Sequence, residues 1–331
     1  MVQLAEVATS SLRSQPDSGL AQLEEVLEQR TANYHDLKAS KDELHVDSNS
    51  GALIHRPTGR EFVLSELALA QLGGKLRVPA AYLLRCPPDL LASNVNHWLG
   101  AMDARNFLLR CDANRVRAVL SERYAPVDNL PLVRSLRRSL GNAPLRFELT
   151  EYELNVQFVS GRVRVAAPGD TLNPGVAISN SEVGLAKVEI RGLIYRAICL
   201  NGLILGGSQD TWARRHIGNV DLAASVQRAI ETIQTRADTS IEGFSRTMQV
   251  RVPDMAKVLA RIIERYALNE DEGAALRMAH ETEPGDSLYH AINALTRAGN
   301  SEHLPLSSRQ RLQELGGSML ESAENGNRWL N

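Results

Sequence analysis

Apolar residues recur at helical spacing in "SGLAQLEEVLEQR", where Leu20, Leu23, Val26 and Leu27 mark one face of a helix. The stretch "DELHVDSNSGALIH" alternates instead, which predicts a short hairpin turning at Asn49-Ser50-Gly51. "LSELALAQLGGKL" predicts a helix capped by Ser65 and stopped at Gly73, and Pro79 and Pro88 suit the first turns of two more. From about residue 105 the period shortens to two. "NFLLRCDANRVRAVLSERY" predicts two strands around Asp112-Ala113-Asn114, and "LPLVRSLRRSL" a helix. "LRFELTEYELNVQFVSGRVRVAA" predicts two or three alternating strands, followed by a long one over 185–198 that lacks proline and is expected to be central. Beyond Gly218 the spacing is helical again, with Leu222, Val226, Ile230, Ile233, Ala237, Ile241, Phe244 and Met248 on one stripe. Pro253 opens a further helix, and shorter helices finish the chain.

The expected fold is therefore α+β: a mainly antiparallel sheet flanked by helices, followed by an all-helical C-terminal part. The expected divisions are a flexible N-terminus over 1–18, a mixed α+β domain over 19–217, and a helical region over 218–331. At 331 residues and 43% apolar content the chain can build a sizeable core, but aromatics make up only 5%, so aliphatic side chains must supply it.

Three cysteines, Cys86, Cys111 and Cys199, fit no zinc or redox spacing, and the odd number without a secretory leader points to a reducing cytoplasm. No apolar run reaches the roughly 18 residues of a membrane span, so no membrane partner is expected. The eight histidines include no HxH or HExxH pattern, and neither GxSxG, GxGxxG nor GxxxxGK[ST] occurs. The expectation is no metal and no cofactor.

Net charge is -2, but it is unevenly spread. Residues 105–146 hold nine arginines, no lysine and three acids, a local +6. If alternation holds, Arg115, Arg117 and Arg123 share a strand face, and Arg214 and Arg215 add charge ahead of the long helix. Guanidinium groups suit phosphates, so these five are the candidate nucleic-acid contacts. The competing account is an ordinary charged surface. A second constellation is polar: Asn180, Ser181 and Glu182 just before the long strand, with Asn201 and His216 further on. It reads either as a turn whose side chains bind backbone or as one wall of a cleft. Asn201-Gly202 is expected to be a tight turn, and Glu189 and Arg191 a surface ion pair.

The blocks "RVPAAYLLRCP", "RVRAVLSERYAPVDN", "ISNSEVGLAKVEIRGLIYRAICLNGLI", "RRHIG" and "LYHAINALTRAGN", in this order, resemble the domain of unknown function 932 family of phage- and plasmid-like proteins. The resemblance spans about residues 30–300. It matches at Arg117, Ser121, Tyr124, Asn180, Ser181, Glu182, Gly184, Arg196, Cys199, Asn201, Gly202 and His216. It implies a mobile-element setting, and through that DNA replication, recombination or defence, but no catalytic residue. The expected function is a non-enzymatic protein of mobile-element origin that binds single-stranded nucleic acid, in annealing or recombination, and acts as a homo-oligomer. Two other classes stay open: an enzyme with a polar cleft around Asn180, Glu182, Asn201 and His216, and an oligomeric scaffold joined through the long helix.

Overall fold

The computed structural model describes residues 12–13, 19–140, 145–159, 164–167, 170–196, 201–205, 211–214 and 222–324. In chain order it forms β1 (Leu12–Arg13), α1 (Leu20–Arg30), β2 (Tyr34–Ser40), β3 (Leu44–Val46), β4 (Leu53–His55), β5 (Arg60–Leu64), α2 (Glu66–Leu76), α3 (Ala80–Leu83) and α4 (Pro88–Ala101). Next come β6 (Asn106–Asp112), β7 (Arg115–Ser121), α5 (Asn129–Leu140), β8 (Leu145–Leu149), β9 (Leu154–Val159), β10 (Arg164–Ala167), β11 (Asp170–Asn180), β12 (Val188–Arg196), β13 (Asn201–Ile204) and β14 (Thr211–Arg214). The remainder is helical: α6 (Leu222–Arg246), α7 (Met255–Arg265), α8 (Glu270–Thr282), α9 (Leu288–Ala298) and α10 (Leu306–Glu324). The fold is thus α+β with mostly antiparallel sheets and a helical C-terminal part. No helix among the described residues is long and apolar enough to cross a membrane.

Two sheets organise the strands. The smaller runs β2-β6-β7-β5-β4-β3, and its β5–β7 pairing is parallel. Helices α2 and α4 cover one face, joining Leu69, Leu72, Leu91 and Val95 to Phe107, Leu109, Val116 and Val119. The larger sheet runs β1-β8-β9-β11-β12-β13, with β10 beside β11 and β14 beside β12. Alternation gives it two unlike faces. Phe147, Val156, Ile178 and Ile190 lie in one cross-strand row and pack with Leu23 of α1, Leu136 of α5 and Ile230 of α6. The C-terminal half of α6 joins α7–α10 in a separate core around Ile292, Leu295, Leu312 and Leu320.

Several local expectations need correction. Helix α2 does not stop at Gly73. It runs to Leu76 and is capped by Arg77 in the left-handed region at φ 58°. A Cβ on Gly73 would lie 2.8 Å from the Val78 carbonyl, so the glycine serves close packing inside the helix. Asn201 and Gly202 do not turn: they open β13, opposite Arg196 and Tyr195. The strand predicted over 185–198 is β12, flanked by β11 on one side and by β13 and β14 on the other, but β11 is longer at eleven residues against nine. Pro174 sits inside β11, where the neighbour on one side changes from β10 to β9, so its missing N–H interrupts no continuous ladder there.

Candidate functional site

The polar stretch before β12 lies at the junction of the two sheets. Strand β7 reaches it from the smaller sheet and carries a bulge: Cys111 pairs with Val116 and Arg110 with Ala118, which leaves Arg117 as the extra residue. Alternation holds from Arg115 to Arg117, which both reach Glu151, and breaks after Arg117, where Ala118 and Leu120 join the same face against Val183. Only 3% of Arg117 is exposed there. Its Nη2 reaches Glu182 Oε2 at 3.3 Å, and its guanidinium lies 3.8 Å from the Tyr34 ring centroid.

Glu182 is 5% exposed, and its other oxygen accepts from the Asn129 backbone N–H at 2.7 Å. Arg110 Nη1 donates to the Glu182 carbonyl at 2.9 Å, while its Nε and Nη2 hold Asp36 and Asp128 at 3.0 and 2.5 Å. Burial works against the charge on Arg110, but Asp128 and Asp36 outweigh it and raise its pKa further. Asn180 Nδ2 donates to the Val127 carbonyl and to Asn129 Oδ1, both at 2.8 Å. Ser181 Oγ accepts from Leu185 N at 3.2 Å. Tyr124, whose hydroxyl pKa is pushed up by burial, donates to the carbonyls of Ser181 and Glu182 at 3.2 and 3.3 Å. Gly184 adopts φ +79°, and an added Cβ would lie 2.7 Å from Leu120 Cδ2. Gln71 completes the clamp by donating to Val183 O and accepting from Val119 N, both at 2.8 Å. Arg115 Nε, Arg117 Nε and Asn180 Oδ1 are buried there without a hydrogen-bond partner. Asn180, Ser181 and Glu182 thus fasten one sheet to the other.

The five candidate phosphate contacts do not form one exposed stripe. Arg117 is buried, Arg115 is ion-paired with Glu151, and Arg123 is exposed beyond the end of β7. Arg214 ends β14 opposite Val188, while Arg215 and His216 lie outside the described residues. Asn201 is placed by its backbone in β13. Among the described residues no group of three metal-ligating side chains occurs.

A second polar region was not singled out by sequence reasoning. It is the other face of the larger sheet. Registered pairing aligns Arg146, Gln157, Ala177 and Arg191 in one row, and Glu148, Asn155, Ser179 and Glu189 in the next. Helix α10 lies over these rows. It is tied down by ion pairs from Arg309 to Glu148 and from Arg191 to Glu314, and by Gln157 Nε2 donating to Gln313 Oε1 at 2.8 Å. Arg191 also pairs with Glu189, so this pair is partly buried and extends to α10. Burial raises the Glu189 pKa, but Lys187 and Arg191 more than offset that and hold it below the usual carboxylate range. Gly317 sets the closeness of α10 to β13, because a Cβ there would overlap the Ile204 carbonyl.

Between sheet and helix these contacts leave a chamber of about 510 Å³. Asn155, Gln157, Ser179, Gln310 and Gln313 line it. Their side chains make only the one Gln157–Gln313 bond to other described residues, so several amide groups and a hydroxyl keep unspent hydrogen-bonding capacity. Asn155 Nδ2 and Arg309 Nε, also on lining residues, are buried with no acceptor. Among the described residues, neither histidine nor cysteine lines the chamber.

No curated protein and no solved structure matches the chain. The family described as "Domain of unknown function (DUF932)" matches residues 117–305, which run from the bulged Arg117 to the residue before α10. That match covers more than half of the sequence: the chain belongs to the DUF932 family.

Proposed function

We propose that this protein is a non-enzymatic binding protein whose ligand occupies the chamber between the larger sheet and α10. The supporting observation is the set of unspent amide and hydroxyl groups converging there. A face that serves only to pack against a helix is normally apolar or fully hydrogen-bonded, since a buried group left unpaired costs about 1–3 kcal/mol. A chamber of this size, with a few convergent polar groups, has the usual form of a small-ligand site. Arg191 and Arg309 beside it are held in ion pairs, which favours an uncharged hydrogen-bonding ligand over a bare anion. This reading moves the binding role away from Arg115 and Arg117, which are engaged by Glu151 and Glu182.

The test is native mass spectrometry with three sets of neutral or zwitterionic probes: nucleosides, monosaccharides and amino acids. Wild-type protein should form a 1:1 complex with members of at least one set. Ala177→Phe, which fills the chamber floor while keeping a residue suited to a strand, should not. Failure of all three sets to bind the wild type would overturn the proposal.

A further inference from the structure

We infer that the chamber takes an unpaired nucleobase. The inference rests on the chamber being a binding site and adds the chemistry of what enters it.

The available groups in the chamber both donate and accept. Gln157 spends only its nitrogen and Gln313 only its oxygen, which leaves an acceptor and a donor on facing walls. Asn155, Ser179 and Gln310 add further groups of both kinds. Base edges carry the same mixture of carbonyl and ring-nitrogen acceptors with amino and imino donors, and amide side chains are their usual readers. A phosphate or carboxylate offers acceptors only. It would also have to displace Glu148 from Arg309, or Glu189 and Glu314 from Arg191.

Shape points the same way. Ala177 lies between Gln157 and Arg191 in its row, so a small side chain is flanked by a planar amide and a planar guanidinium. That gives a heteroaromatic ring a low floor with flat neighbours, and guanidinium planes stack on bases. An extended peptide is a poorer fit. Such peptides add to a free sheet edge, whereas the floor is the face of β9 and β11, each of which has a neighbour on both sides. The same chemistry occurs in a free nucleoside and in an unstacked base of single-stranded nucleic acid, and affinity separates them.

Fluorescence anisotropy with a labelled single-stranded nonamer, competed by unlabelled nucleosides and by an abasic nonamer of the same length, tests the inference on the full chain. Base-bearing probes should bind, and the abasic strand should bind at least about tenfold more weakly, because phosphate contacts carry no base information. Gln157→Leu and Ala177→Phe should each weaken base-bearing probes at least about tenfold. Nonamer binding well above nucleoside binding assigns the base to a strand; equal binding assigns it to a free nucleoside; both support the inference. Equal affinity for abasic and base-bearing strands would overturn it, as would affinity unchanged by both variants. If monosaccharides or amino acids form the chamber complex and nucleosides do not, the nucleobase falls while the binding function stands.

Discussion

Two polar regions lie inside this protein and use similar side chains to different ends. At the sheet–sheet junction, Asn180 and Glu182 spend their hydrogen bonds on Val127, Asn129 and Arg117. Under α10, Asn155, Gln157 and Ser179 belong to the same sheet, yet most of their capacity is unspent beside a chamber. The junction's partners are largely backbone groups of the 121–129 segment and of the following turn, so its asparagine and glutamate act as fasteners. The chamber's partners are few and come from one helix. The difference teaches that residue type alone identifies neither a site nor a strut. What distinguishes them is where each donor and acceptor ends.

The largest effect should come from Glu182→Ala. It leaves Arg117 buried without its carboxylate and frees the Asn129 N–H, and breaking a buried pair in this way costs about 3–5 kcal/mol. Equilibrium urea unfolding should show that loss. A change under about 1 kcal/mol would mean that the junction is not the fastener its geometry indicates.

Asn180→Ala removes the two bonds donated to the Val127 carbonyl and to Asn129 Oδ1, a loss of about 1–3 kcal/mol. Asn155→Leu should do the opposite. It deletes an amide nitrogen that has no acceptor, so unfolding free energy should stay within about 0.5 kcal/mol of the wild type or rise, while ligand binding falls. If Asn155→Leu proves as destabilising as Asn180→Ala, the contrast between the regions fails.

The smallest effect is one of pH. Glu189 has its pKa held down by Lys187 and Arg191 against burial. A depressed folded-state pKa contributes stability that is fully present above the ordinary carboxylate value near 4.5 and is lost as pH falls through the lower folded value. The stability difference between wild type and Glu189→Gln should therefore be constant at neutral pH and shrink only below about pH 4.5. A difference that grows on acidification would contradict the ion pair.

Periodicity made the architecture legible wherever one face of an element was buried. Helix α1, the β3–β4 and β6–β7 hairpins and the stripe of α6 all fall where apolar spacing placed them. The misreadings have physical causes. Gly73 and Gly202 look like punctuation, but Gly73 makes room for the Val78 carbonyl inside α2, and Gly202 sits within β13 against the Leu193 side chain. Strand β11 goes unpredicted, and the change of neighbour that tolerates its Pro174 is not visible along the chain. Parity put Arg115 and Arg117 on one face, as found, but that face is turned to the larger sheet, and the bulge shifts the alternation before Arg123. The polar stretch 180–182 announced itself as a cluster in sequence and is a cluster in space. The chamber did not, because its parts come from β8, β9, β11, β12 and α10, and Gln157 meets Gln313 across 156 positions. The one local sign was the amides at alternate positions of "LNVQFV", on a strand whose two faces are both covered.

Hydrogen–deuterium exchange with and without saturating single-stranded nonamer tests the central claim most directly, because it locates the ligand without altering the protein. The account predicts new protection over 155–157, 177–179 and 306–313, with none over 121–129 or 180–184. Protection confined to 121–129 and 180–184 would contradict it, and would make the sheet–sheet junction the site and the chamber a packing feature.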